Sequence, residues 1–134
     1  MIKILNIWAI LICTGIYFAL GVLWYSPVLF GNIWMKGLGV KMEDLEQKPR
    51  DFIVSAIAAF IATLFLGLLL EIIGKYDVLI SLLIALIIGI GFILTSGIYN
   101  VIYEGKEKIV YLIDAGYHIV ALLIAGLILG FWQA

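Results

Sequence analysis

Four long apolar runs, separated by shorter polar segments, dominate the chain, and they cover residues 4–25, 52–74, 78–103 and 109–132. Crossing about 30 Å of hydrocarbon takes about 20 helical residues at roughly 1.5 Å each, so each run is long enough. The pattern predicts an all-α integral membrane protein with four transmembrane helices. A signal peptide is the alternative for the first run. Because this run is longer than a typical signal core and no A-x-A-like cleavage site follows it, we interpret it as a retained span.

The connections between these runs differ in length. The sequence "GKYD" at 74–77 predicts a tight turn, with Gly74 ending one helix and Asp77 capping the next. The sequence "EGKEK" at 104–108 predicts a second tight turn, so the last two spans form a hairpin. The first connection, 26–51, is much longer than either.

A short helix in the membrane interface is predicted at the start of this first connection. Ser26 fits an N-cap and Pro27 fits the first helical position. The apolar side chains that follow are Val28, Leu29, Phe30, Ile33 and Trp34. They predict an interfacial helix at about 27–35, and the polar remainder of the connection is expected to be solvated.

The composition agrees with a membrane protein and excludes several kinds of site. The chain is 66% hydrophobic and 13% charged, with a mean hydropathy of +1.24, well outside the usual soluble range. Its 134 residues predict a single membrane domain. Cys13 is the only cysteine, which rules out an internal disulfide or a CxxC site. With a net charge of −1 and no phosphate-binding or cofactor motif, we expect neither nucleic acid, nor a metal, nor a cofactor as a partner.

The basic residues predict the orientation in the bilayer. Two of them, Lys3 and Lys75, belong to one side of the membrane. Six belong to the other side: Lys36, Lys41, Lys48, Arg50, Lys106 and Lys108. The positive-inside rule then predicts that the connections 26–51 and 104–108 are cytoplasmic and that both termini are outside.

Small and polar residues recur at helical spacing in the second span. They stand at strict four-residue intervals, as Ser55, Ala59, Thr63, Gly67 and Glu71. Small residues spaced in this way let membrane helices approach closely, so the series predicts a helix–helix contact.

A candidate binding cluster of polar and aromatic residues gathers at the predicted cytoplasmic ends of three spans. Its members are Trp24, Tyr25, Ser26, Tyr99, Asn100, Tyr103, Glu104, Asp114, Tyr117 and His118. A carboxylate near the hydrocarbon boundary costs several kcal/mol unless it has partners. The hairpin of the last two spans predicts that Tyr99, Asn100 and Tyr103 supply donors to Asp114. His118, four residues further along the same helix face, is expected to supply another.

Two interpretations of this cluster remain open: a structural hydrogen-bond clamp, or the wall of a polar cavity that binds a ligand. Three classes of function are compatible with them. The first is a homo-oligomer, such as a dimer, that transports or binds a small solute or ion. The second is an accessory or scaffold subunit of a larger membrane complex. The third, an enzyme that uses Asp114 and His118 as an acid–base pair, has the least support, because no nucleophile–base constellation accompanies the pair.

Several segments resemble one family over essentially the whole chain. The most specific are Trp24-Tyr25-Ser26-Pro27 with the following Leu29-Phe30-Gly31 and Trp34, then Asn100 with Glu104, then Asp114-Ala115-Gly116-Tyr117. They closely resemble the small prokaryotic membrane proteins catalogued as domain of unknown function 1761. The resemblance implies a four-span fold in the prokaryotic cytoplasmic membrane and implies no activity. It also implies that relatives can carry asparagine at position 114 and vary at position 118.

Overall fold

The protein is described here from a computed structural model, which covers residues 6–41, 43 and 48–133. The helices are α1 (Ile7–Trp24), α2 (Gly31–Leu38), α3 (Pro49–Ile73), α4 (Val78–Ile88), α5 (Thr95–Glu104) and α6 (Lys108–Gln133), with a π-helical segment, Gly89–Leu94, between α4 and α5. Residues 4 and 5 of the first predicted span, Lys3, and residues 42 and 44–47 of the predicted solvated segment lie outside the described part.

Four of these helical stretches are long and apolar enough to cross a membrane: Ile7–Trp24, Pro49–Ile73, Val78–Glu104 and Lys108–Trp132. The prediction of an all-α membrane protein with four spans and a short helix after the first is therefore confirmed. The third span consists of α4, the π-helical segment and α5, and this interruption was not predicted.

The tight turns follow the local signals in the sequence. Gly74 and Gly105 end α3 and α5 with positive φ angles of 96° and 68°, which a residue with a Cβ adopts only under strain. Asp77 caps α4, because its Oδ1 accepts a hydrogen bond from the backbone N–H of Ile80 at 2.9 Å. Helix α3 begins three residues earlier than predicted, with Pro49 at its first position.

The chain leaves α1 after Trp24, as Pro27 led us to expect, but the predicted start of the next helix is wrong. Ser26 closes α1 instead of capping α2: its hydroxyl donates to the Leu23 carbonyl at 2.6 Å. The Ser26 carbonyl accepts from the backbone N–H groups of Leu29 and Gly31. These turns delay the helix to Gly31, and α2 then continues to Leu38.

Helix α6 lies at the centre of the bundle, with α1 on one side and α4 on the other, and α3 packs on α1. The contact between α4 and α6 depends on small residues. A Cβ atom built at Gly126 would lie 2.9 Å from the Ser81 carbonyl oxygen, and one at Gly130 would lie 2.7 Å from the Val78 Cα. Ser81 and Ala85 are themselves fully buried. This close approach is the usual way in which membrane helices gain packing energy.

The small-residue series of α3 makes the predicted helix contact in its middle. Ala59, Thr63 and Gly67 are buried, whereas Ser55 is exposed. The hydroxyls of Thr63 and Thr14 lie 2.9 Å apart and join α3 to α1. Such interhelical hydrogen bonds contribute about 0.6 kcal/mol on average in a membrane.

The substitution Gly126→Val is expected to destabilise the protein by about 1–3 kcal/mol, because the new side chain would overlap the backbone of α4. Gly15→Val is the matched control, since a Cβ atom at Gly15 has nothing within 4 Å. Thermal unfolding of both variants in detergent, followed by circular dichroism, gives the comparison. Equal changes in Tm would contradict this account of the contact between α4 and α6.

Candidate functional site

The carboxylate of Asp114, in the first third of α6, accepts hydrogen bonds from three other segments. Oδ1 accepts from the Tyr25 hydroxyl at 2.7 Å and from the Trp34 indole N–H at 3.1 Å. Oδ2 forms an ion pair with the Lys106 ammonium at 2.7 Å. The side chains of Lys106 and Asp114 are 27% and 28% exposed. Because these donors come from the end of α1, from α2 and from the turn before α6, one side chain joins all of these segments to α6.

Trp24 adds a second tie between α1 and α6. Its indole N–H donates to the carbonyl of Ile113 at 2.9 Å. The absence of a side chain at Gly116 makes this possible, because a Cβ there would lie 3.2 Å from the Trp24 ring. The Phe30 ring packs against the Trp24 ring, with the two ring centroids 4.7 Å apart. The loop that follows α1 is thereby held against α6.

A separate pair of side chains lies deeper in the bundle. The Tyr17 hydroxyl and the His118 Nδ1 are 2.6 Å apart. The Tyr117 hydroxyl donates to the backbone carbonyl of Tyr17 at 2.8 Å, and Gly21 leaves room for that hydroxyl. The His118 Nε2 forms no hydrogen bond within residues 6–41, 43 and 48–133, and the residue is partly exposed. The pair therefore keeps hydrogen-bonding capacity that the bundle does not use.

The structure brings together five of the ten residues of the candidate cluster: Trp24, Tyr25, Asp114, Tyr117 and His118. Tyr117 lies between the network around Asp114 and the Tyr17–His118 pair. Its ring centroid is 5.7 Å from that of Tyr25 and 4.8 Å from that of His118. Asp114 and His118 are not hydrogen-bonded to each other, so the pairing expected from their four-residue spacing is not formed. Ser26 turns away and donates to the backbone of α1.

The other four residues lie on α5 and do not reach Asp114, so the expectation that the third span supplies its donors is wrong. Tyr99 and Tyr103 are 60% and 79% exposed, and they stack on each other with ring centroids 6.2 Å apart. Glu104 is exposed at the helix end. Asn100 is partly buried and contributes its backbone carbonyl, which accepts from the Lys106 N–H.

The π-helical segment explains this outcome. Ser81, Ala85 and Gly89 precede the segment or begin it, and they face α6. A π-helix accommodates an additional residue, and each residue of an α-helix accounts for about 100° of rotation. Tyr99 and Tyr103, which follow the π-helical segment, are therefore turned outward.

Helix α6 fixes the path of α5 by a different residue, Tyr111. The Tyr111 hydroxyl donates to the carbonyl of Leu94 at the end of the π-helical segment. A Cβ atom at Gly97 would lie 2.7 Å from the Tyr111 ring. Tyr111 is thus the residue of α6 that contacts the third span where the π-helical segment passes into α5.

Three residues at the two networks were missed: Tyr17, Trp34 and Lys106. Tyr17 was not assigned to the candidate cluster, and Trp34 was assigned only to the apolar side chains of the predicted interfacial helix. The available signal was their polar atoms, because a buried Tyr O–H or Trp N–H usually finds a hydrogen-bond acceptor. Lys106 was counted only for orientation, although a lysine in the turn before α6 is close to Asp114.

The chemistry of this arrangement favours a clamp at Asp114. Each carboxylate oxygen already has a charged or neutral donor, and the Lys106 charge balances that of Asp114. Within the described ranges, no three His, Cys, Asp or Glu side chains are grouped so as to hold a metal ion. The unused capacity of the pair Tyr17–His118 is the feature left for a ligand.

Asp114→Asn is expected to destabilise the protein by about 1–2 kcal/mol, because the amide oxygen can still accept from Tyr25 and Trp34 while the ion pair is lost. Asp114→Leu removes the acceptor as well and should cost more. Glu107→Gln removes an exposed carboxylate from the same turn and serves as the control. Chemical unfolding in mixed micelles measures all three, and wild-type stability of Asp114→Asn would contradict the clamp.

Comparison with known proteins agrees with the resemblance found in the sequence. A family model described as "Protein of unknown function (DUF1761)" matches residues 8–130. No curated protein and no solved structure matches the chain. Because the matched region extends from the first span into the last, the chain belongs to the DUF1761 family.

Proposed function

We propose that the protein is a homo-oligomer, a dimer, that binds a small ligand within the bilayer. The observation that carries this proposal is an uncovered face on the second and third spans. Helix α5 has no buried residue, and the first buried residue of α3 is Ala59, ten residues after its start. Towards the 74–77 turn, by contrast, both spans bury residues. We call the uncovered halves, residues 49–58 of α3 together with α5, the open face.

The total surface of the chain is larger than that of a compact monomer of the same mass. The accessible surface is 8726 Å², whereas a compact monomer of 14.9 kDa exposes about 7,000 Å². The difference is roughly 1,700 Å², about twice the ~800 Å² that each partner contributes to a standard interface.

A second copy fits the open face better than an unrelated subunit. The face carries small residues, among them Ala58 and Thr95, which allow close helix packing. Its exposed aliphatic side chains include Ile98 and Ile102, and in a two-fold dimer they would pack on the same face of the second copy. The alternative, an accessory subunit, would place a different protein on the same face, and the cross-linking experiment below distinguishes the two.

The ion pair between Asp114 and Lys106 favours the binding of a ligand over the transport of a cation. The charge of Asp114 is balanced by Lys106 at 2.7 Å, so a passing cation would have to displace a tethered ammonium group. The Tyr17–His118 pair has no such competitor. It is therefore the better candidate for contact with a ligand.

The proposed orientation has the connections 26–51 and 104–108 in the cytoplasm and both termini outside. Single cysteines at Lys41 and Lys75 in a Cys13→Ala background test it, because both positions are exposed and lie in different connections. An impermeant maleimide added to intact cells should label the cysteine at 75 and spare the one at 41. The reverse pattern would invert the orientation, and disruption of the cells should make both reactive.

Cysteines at Ile98 and Ile102, in the same background, are expected to cross-link two copies in native membranes. Leu112→Cys is the control, because Leu112 is 54% exposed at a similar depth on the outer face of α6. A dimer-sized product from the α5 positions, with little from position 112, supports the proposal. Monomer alone, or a product containing a different and larger protein, would contradict it.

A further inference from the structure

The π-helical segment Gly89–Leu94 divides the third span into two parts that differ in packing. Up to the start of this segment, Ser81, Ala85 and Gly89 are buried against α6. After the segment, α5 has no buried residue. A movement of α5 therefore sacrifices little packing energy, whereas α4 is fixed by its close contact with α6.

The segment holds one residue more than a regular helical turn. Backbone hydrogen bonds in a π-helix join residues five apart instead of four, and such insertions are frequent at functional sites. If the segment became α-helical, the surplus residue would be passed on along the helix. Each residue of α5 would then take the place that the next residue occupies here. Ser96 would take the place of Gly97, and Tyr99 would take that of Asn100.

The side chains of α5 suit this second arrangement. The present arrangement turns Ser96, Tyr99 and Tyr103 outward, where they are exposed. After a shift by one residue, Ile98 and Ile102 would occupy the exposed places of the two tyrosines. Ser96 and Tyr99 would turn toward α6. Aliphatic side chains would then face the lipid and polar ones the bundle, which is the usual distribution in a membrane.

Tyr111 of α6 holds α5 in the present arrangement by two contacts. Its hydroxyl donates to the carbonyl of Leu94, at the end of the π-helical segment. Its ring fills the space beside Gly97, where a Cβ atom would lie 2.7 Å from the ring. Because the shift would bring the Ser96 side chain into this space, the Tyr111 ring must move before α5 can shift.

We propose that the π-helical segment is a conformational switch, in which α5 shifts by one residue when Tyr111 releases it. A shift of one residue amounts to about 100° of rotation and about 1.5 Å of translation. The Lys106 N–H donates to the Asn100 carbonyl, and the Lys106 ammonium pairs with Asp114. The switch therefore connects α5 to the ion pair at Asp114. It requires neither the proposed ligand nor the second copy.

Nitroxide labels on single cysteines at Tyr99 and Val101 report the position of α5 through their collisions with oxygen dissolved in the bilayer. The full-length protein carries Cys13→Ala and is placed in nanodiscs that hold one chain each, so that no second copy covers α5. In the present arrangement, position 99 is exposed and position 101 is partly buried. The label at 99 should therefore be the more accessible of the two.

The substitution Tyr111→Ala should reverse this order. Position 99 would take the partly buried place of Asn100, and position 101 would take the exposed place of Ile102. Leu112→Ala is the matched control, because Leu112 is the exposed neighbour of Tyr111 on α6. The control should leave the order of the two labels unchanged.

Deletion of Gly91 tests the surplus residue directly. A Cβ atom at Gly91 has nothing within 4 Å, so the deletion removes no contact. The segment can then be α-helical while Gly97 stays beside Tyr111. The deletion alone should leave Tm unchanged or raise it, and combined with Tyr111→Ala it should restore the original order of the labels. Deletion of Leu83, an exposed residue of α4, is the control and should lower Tm, because it turns Ser81 away from α6.

Three results would overturn the switch. An unchanged order of the labels in Tyr111→Ala would reject release by Tyr111, and equal accessibility of both labels would show that α5 detaches instead of shifting. A loss of Tm on deletion of Gly91 as large as that on deletion of Leu83 would show that the segment holds no surplus residue. The last comparison needs no change at Tyr111, so it is decisive even where Tyr111→Ala fails to fold.

Discussion

The carboxylate of Asp114 cannot remain unpaired within a membrane-spanning helix, and much of the architecture at this end of the bundle depends on this constraint. The protein supplies the donors itself. Tyr25, Trp34 and Lys106 belong to three different segments. To bring them together, the chain must leave α1 sharply, place α2 against α6, and hold the turn before α6 next to the carboxylate.

This constraint also explains why the bundle is well packed around α1 and α6 and uncovered elsewhere. Polar ties hold α1, α2 and α6 to one another, and small residues hold α4 to α6. The first half of α3 and all of α5 take part in neither arrangement. In a membrane there is no hydrophobic force to draw such segments inward, because lipid chains are as apolar as the helices. Helix α5 is held instead by the contact of its Gly97 with the Tyr111 ring of α6.

Much of the fold could be predicted from local chemistry, and the main error at the site arises in the third span. Run length predicted the spans, and Gly74, Asp77 and Gly105 predicted their turns, because each signal acts within a few residues. The partners of Asp114 were not predicted, because the hairpin argument treated the third span as one continuous α-helix and placed Tyr99 and Tyr103 opposite the carboxylate. A single π-helical segment after Gly89 rotates the helix that follows. Gly97 and Gly89 lie close against Tyr111 and Ile119 of α6, and no local sequence pattern reveals such long-range contacts.

The two polar networks differ in what they leave available, and this difference separates structure from binding. At Asp114, donors and acceptor are matched in charge, so the network is closed and resists exchange with a ligand. The neutral imidazole of His118 and the hydroxyl of Tyr17 carry one polar hydrogen each. Because one hydrogen bond joins the two side chains, one donor remains. A donor left unpaired within a bundle of membrane-spanning helices has a free-energy cost, since lipid tails cannot satisfy it.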